Sequence, residues 1–158
     1  MATKKSWVEK RNDNKGLPRV EPIPEKMRLK CGEGTLALPS PREVDELMKR
    51  VPKGKLITVN QLRRLVAEKH GATIGCPMVT GIFVWIAAHA AEEEAAAGEV
   101  GTTPYWRTLK TGGELNPKYP GGIESQNQRL RAEGHRIITR GKRHFVADYQ
   151  DQLAEIVG

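Results

Sequence analysis

The chain has 158 residues, 38% of them hydrophobic and 28% charged, with a formal net charge of +7 at pH 7. That length holds one domain with a packed core plus an extension, and excludes two ordinary domains. Two cysteines, Cys31 and Cys76, exclude a disulfide framework, and no charged start leads into an apolar signal segment, so the expected compartment is a reducing cytoplasm.

The positive charge is concentrated at the front. Residues 1–30 carry nine Lys or Arg against four Asp or Glu, which leaves the remainder nearly balanced. Lys4, Lys5, Lys10, Arg11, Lys15, Arg19, Lys26, Arg28 and Lys30 read either as an arm that binds phosphates without sequence preference or as a solvated extension that keeps the chain in solution. Gly16, Pro18, Pro22 and Pro24 interrupt any periodicity, while Trp7, Leu17 and Ile23 are the side chains available to pin the arm down. Residues 1–38 are accordingly set apart as a basic N-terminal arm, and 39–158 as the domain.

Residues 31–38 read as an irregular segment or short strand. A helix then starts at Ser40 (N-cap), Pro41 (first position) and Glu43 (third position), the arrangement of a capping box. Val44, Leu47, Met48 and Val51 fall on one face of it, and Pro52 stops it. After the Lys53-Gly54-Lys55 turn, Thr58 caps a second helix, Val59–His70, with Leu62, Leu65 and Val66 inward and Arg63, Arg64 and Lys69 outward; Gly71 closes it. Residues 73–98 carry a third helix, with Pro77 near its first turn and an apolar run from Met78 to Ala88. A membrane span is rejected for this run, because Cys76, Pro77, Thr80, Gly81 and His89 dilute it and Glu92-Glu93-Glu94 ends it without basic flanks. It reads as a central helix wrapped by the others.

Pro104-Tyr105-Trp106-Arg107 sets two large rings, each with a hydrogen-bonding handle, between a rigid residue and a fixed charge, a composition suited to a pocket. Turn signals follow at Gly112-Gly113, Asn116-Pro117 and Pro120-Gly121-Gly122, then a helix over 123–134. Residues 136–146 read as two short strands around Gly141, and 149–157 as a final helix with Leu153, Ile156 and Val157 on one side.

The frame Pro104-x-x-Arg107, a Gly-rich turn, Leu115, Tyr119, Gly121-Gly122, a spaced Gln and Leu, and Glu133-Gly134 resembles the active-site half of the alkylguanine-DNA alkyltransferases, whose motif is Pro-Cys-His-Arg. Val51-Pro52-Lys53-Gly54-Lys55 with Ile57-Thr58 resembles the same family's entry into its helix-turn-helix, so the resemblance spans roughly 41–136. It implies a mainly α, winged helix-turn-helix-like domain of the alkyltransferase C-terminal type, with the 136–146 hairpin as wing. It also aligns the nucleophilic Cys with Tyr105 and its activating His with Trp106, while Glu133 keeps the place of the supporting Glu. A phenol and an indole cannot replace thiolate and imidazole, so self-alkylation at this position is excluded. The chain is similar in this to the alkyltransferase-like members, which lack the Cys and bind alkylated guanine without repairing it.

The resemblance therefore implies a non-catalytic DNA-binding protein of DNA repair that recognises alkylated or distorted DNA, with double-stranded DNA as partner, possible contact with a repair protein, no membrane, no cofactor, and a monomeric state. Its pocket would comprise Pro104, Tyr105, Trp106, Arg107, Tyr119, Gly121, Gly122 and Glu133, closing on an extruded base. The alternative is that both rings are core residues. Candidate DNA contacts are Thr58, Thr73, Met78 and Thr80 along the helix-turn-helix and Arg140, Lys142 and Arg143 at the hairpin, where a basic tip otherwise serves only to protect an edge. In the family the third helix presents an Arg that replaces the extruded base and a preceding Tyr helps to turn the nucleotide; Met78 and Val59 occupy those positions. Met78 can wedge into a base stack, whereas Val59 offers a phosphate nothing. Cys76, ahead of the third helix, is either a relocated nucleophile or a small buried hydrophobe. The four histidines show no metal-ligand spacing with the cysteines. The competing function is a protein- or ligand-binding module on a degenerate alkyltransferase fold, without lesion recognition.

Overall fold

The structure, a computed structural model, describes residues 5–156; Lys4 and Val157 lie outside them. Ser6 Oγ accepts the Glu9 amide and opens α1 (Trp7–Asn12), and Arg19–Pro22 forms β1. A short α2 (Arg28–Cys31) and β2 (Thr35–Leu38) follow. The caps read from sequence then start α3 (Pro41–Lys49), where Ser40 Oγ accepts the Glu43 amide at 3.2 Å. Glu43 does not complete a capping box. Its carboxylate is drawn instead to His70 Nε2 at 3.0 Å and to the ammonium of Lys69 at 3.1 Å, two partners that outcompete the backbone amide.

Beyond β3 (Ile57–Thr58), α4 (Val59–His70) opens on a full capping box between Thr58 and Gln61 and ends at Gly71 in the left-handed conformation. The connection through β4 (Ile74–Gly75) to α5 (Pro77–Ala96) is tight: a Cβ on Gly75 would lie 2.3 Å from the Arg63 carbonyl oxygen. That clearance sets how closely α5 approaches α4. After a 3-10 turn at Tyr105–Arg107 come β5 (Thr108–Leu109), α6 (Gly122–Ala132), β6 (Ile137–Arg140) and β7 (Arg143–Val146). The result is mainly helical with small sheets. β1 runs antiparallel to β2 and β2 parallel to β4, β3 runs parallel to β5, and β6–β7 is the expected hairpin around Gly141. Among the described residues no helix is long and apolar enough to cross a membrane.

The principal core joins Val44, Leu47 and Met48 of α3, Leu62 and Val66 of α4, and Phe83, Val84, Ala87 and Ala91 of α5. A second cluster packs Leu56, Leu109, Leu115, Leu130, Ile137 and Val146. A third, around Ile23, Leu36, Leu38 and Cys76, belongs partly to the segment read as an irregular arm. That segment is folded onto the domain. The Trp7 and Val8 amides donate to the two carboxylate oxygens of Glu93, and the buried Arg11 guanidinium meets Glu94 at 2.6 and 3.3 Å. Lys5 pairs with Asp13. Glu93 and Glu94 lie more than eighty residues from the groups they hold, which is why no local pattern announced α1.

The final helix expected over 149–157 is instead a 3-10 turn, Tyr149–Gln152, followed by extended chain. Here the backbone is claimed by a neighbour: the Leu56 amide donates to the Gln152 carbonyl and the Ala154 amide to the Leu56 carbonyl, both at 2.8 Å. Sheet-type pairing displaces a helix whose own apolar stripe was short.

Candidate nucleic-acid interface

Each successive turn of α5 sends one residue to the same side: Met78, Ile82, Trp85 and His89. Met78 is 72% exposed, Ile82 44% and Trp85 36%, while Phe83, Val84, Ala87 and Ala91 on the opposite side are buried. An apolar helix was expected to be covered all round, but hydrophobicity on every face does not say which face is left bare. Across from this stripe stands the 110–118 loop, with Lys110, Glu114, Asn116 and Lys118, joined by Arg143 from β7. Between the two walls lies a groove of 1220 Å³ whose rim includes Val59. Its wall is polarised. Arg143 holds Glu114 bidentately at 2.8 and 3.1 Å, which keeps that carboxyl below its ordinary value, and Lys110 Nζ sits 3.9 Å from the same carboxylate.

The expected aromatic pocket lies elsewhere and is filled. Tyr105 is 1% exposed and Tyr119 3%, with their rings edge-on at 5.3 Å. Tyr105 Oη donates to Glu92 Oε1 at 2.6 Å and Tyr119 Oη to the Thr108 carbonyl at 2.8 Å. Burial raises both phenol pKa values, reinforced at Tyr105 by Glu92. Trp106 is half-buried; its Nε1 donates to Glu133 Oε2 at 3.0 Å, and the Arg129 guanidinium lies 4.5 Å from its ring centroid. Arg107 grips Glu133 through three N–H···O contacts of 2.8 to 3.2 Å and donates to the Val51 carbonyl at 2.8 Å. Burial opposes ionisation of Glu133, but the bonds from Arg107 and Trp106 outweigh it and hold its carboxyl below the ordinary range. Pro104 leads into the 3-10 turn, and Gly121, at φ +78°, is the left-handed residue that starts α6 ahead of Gly122. Of the set proposed from sequence, Tyr105 and Tyr119 are core residues, Pro104, Trp106, Arg107, Gly122 and Glu133 are half-buried and Gly121 is exposed, so the two phenols do not line an open pocket.

The candidate DNA contacts divide similarly. Thr58 is buried as the cap of α4, and Thr80 is fully buried with no hydrogen-bond partner for its hydroxyl, so neither reaches a ligand. Thr73 is exposed, but its Oγ1 accepts the Thr35 amide at 2.9 Å, and it lines a separate cleft of 450 Å³ with Arg63 and Arg64. Met78 opens into the groove. Arg140, Lys142 and Arg143 are exposed on the hairpin, the two guanidiniums lying 5.8 and 5.1 Å from the Phe145 ring. Cys76 is buried, as a small hydrophobe would be. Sequence reasoning missed Ile82, Trp85, Lys110 and Lys118; the spacing 78, 82, 85, 89 was the available signal.

Helices α3 to α5 around this core, the Pro104–Arg107 turn with its buried Tyr105 and the α6 that follows make an alkyltransferase-like fold. The solved structure that carries this comparison is S. pombe Atl1 in complex with damaged DNA containing O6-carboxymethylguanine. It matches with a TM-score of 0.53 and 17% identity, over 73% of this chain and 94% of that one. No protein-family model and no curated protein matches the sequence.

Proposed function

We propose that this protein binds duplex DNA and recognises alkylated or distorted sites without performing chemistry on them, through the groove between α5 and the 110–118 loop. In this reading α4 and α5 form a helix-turn-helix and β6–β7 its wing. Met78 wedges into the base stack, Trp85 presents its ring to an extruded base, and Lys110, Lys118, Arg140 and Lys142 take phosphates. The single observation that carries it is the joint position of Met78 and Val59 at one groove, with an apolar helix on one side and basic side chains on the other. The fold shared with a protein crystallised on damaged DNA supports the same reading. α5 contains no Arg, Lys, Asn or Gln, so base edges go unread and recognition rests on deformability and extrusion. A non-catalytic role follows from Tyr105, a buried phenol with a raised pKa where alkyl transfer needs an exposed thiolate.

The test compares matched duplexes with and without one O6-alkylated guanine across a range of salt. The expected result is at least a tenfold preference for the lesion, about 1.4 kcal/mol, at every salt concentration. Equal binding of both duplexes overturns lesion recognition and favours the second reading, a groove for a protein or small apolar ligand, to which the exposed Met78–Ile82–Trp85 stripe is also suited.

A further inference from the structure

Behind the groove wall, α1 supplies an aromatic residue that the groove itself does not contain. The Trp7 ring stacks on His89, with centroids 4.4 Å apart and planes at 22°, and meets Trp85 edge-on at 4.8 Å and 81°. His89 in turn meets Trp85 at 5.3 Å and 78°, and Lys10 Nζ lies 4.3 Å from the Trp7 centroid. Trp85 and His89 line the groove and Trp7 does not. A six-residue helix does not stand alone in water, and α1 is held where it is by α5: by Glu93 on the Trp7 and Val8 amides and by Glu94 on Arg11.

We infer that Trp7 is a positioning residue for ligand recognition, fixing the Trp85 ring from behind so that its groove face is preset for stacking on an extruded base. The inference rests on the groove reading above and adds the N-terminal helix to it. Half-exposed on an apolar helix, Trp85 has several rotamers open to it, and a ring that must be ordered at the moment of binding loses affinity relative to one already ordered. The edge-on contact with Trp7, backed by the stacked His89 and the cation of Lys10, selects one. Occupation of the groove and docking of α1 then stabilise each other by the same factor, since coupling between two equilibria is reciprocal.

The experiment measures lesion and matched-duplex affinities side by side for the full chain, for Trp7→Ala and for Trp7→Phe. Trp7→Ala is expected to lower the lesion preference at least fivefold with matched-duplex binding within twofold, and Trp7→Phe, which keeps an aromatic ring on His89, to restore most of it. An unchanged preference in Trp7→Ala overturns the inference and leaves the groove reading standing. An absent preference in the unaltered protein overturns both. A second measurement needs no variant: hydrogen exchange at the Trp7 and Val8 amides is expected to be slower on the alkylated duplex than on the matched one, and equal rates on the two overturn the coupling.

Discussion

Two aromatic regions of the molecule have opposite fates. Tyr105, Trp106 and Tyr119 occupy the place where the resemblance puts a reaction centre, yet each polar handle is tied to Glu92, Glu133 or the Thr108 carbonyl. Trp85, with Met78 and Ile82, comes from a helix that looks like core and opens onto a groove. Ring chemistry is similar in both. What differs is the supply of acceptors: a phenol or indole given a carboxylate or carbonyl at 2.6 to 3.0 Å can leave water at little cost, and the two phenols go into the core.

The sharpest way to break this contrast is to truncate one residue from each region. Tyr105→Ala should cost about 4 kcal/mol in urea unfolding, as removal of a fully buried ring does, whereas Met78→Ala should stay within about 0.5 kcal/mol. Equal costs would mean that the two regions are not differently packed. The order reverses for DNA: Met78→Ala should weaken lesion-duplex binding about tenfold, or about 1.4 kcal/mol, in a fluorescence titration, and an unchanged affinity would remove Met78 from the contact. Lys118→Gln combined with Lys142→Gln should lower the slope of log K against log salt by about 2; an unaltered slope would place the phosphates elsewhere.

The smallest expected effects are in pH. His135 is buried with its Nε2 unpartnered, and burial lowers its pKa, with Glu133 opposing. Its neutral form is the folded one, so stability should fall as pH drops below its ordinary value of 6.5, until the folded value is passed. Glu133 acts lower down. Its folded pKa is depressed, so its contribution is complete above the ordinary 4.5 and is lost as pH falls through the folded value. Thermal melts from pH 7 to 3 should show both losses, with Glu133→Gln reducing only the lower one, to which the depressed Glu114, Glu93 and Glu94 also contribute.

Local chemistry made much of the fold legible. Ser40 and Thr58 start helices because a side-chain oxygen three residues from an amide is a local fact, and Gly71 and Gly141 mark their turns for the same reason. The order Tyr105, Trp106, Arg107, Tyr119 and Glu133 likewise named residues that touch one another, through Glu133 and through the edge-on rings. Whether that cluster was open was not legible, because Glu92, which takes the Tyr105 hydroxyl, was read only as the end of an apolar run. The arm was legible in part: Trp7, Leu17 and Ile23 are pins that do pack on the domain, but Glu93 and Glu94 do for α1 what no residue near it does, and Arg11 counts as a free positive charge until Glu94 is placed beside it.

The pairing of Leu56 with both the Gln152 carbonyl and the Ala154 amide has a consequence for synthesis. Leu56 and Ile57 adjoin β5 and the second hydrophobic cluster, so a segment near the first third of the chain waits for one near residue 153 before its backbone is satisfied on both sides. While the chain is being made, α3, α4 and α5 can pack on one another as soon as they emerge, since their contacts are close in sequence. The seam at Leu56 cannot close until translation has passed Ala154. A nascent chain arrested short of that point would carry packed α3, α4 and α5, a core still lacking Ala154, and an unpaired edge.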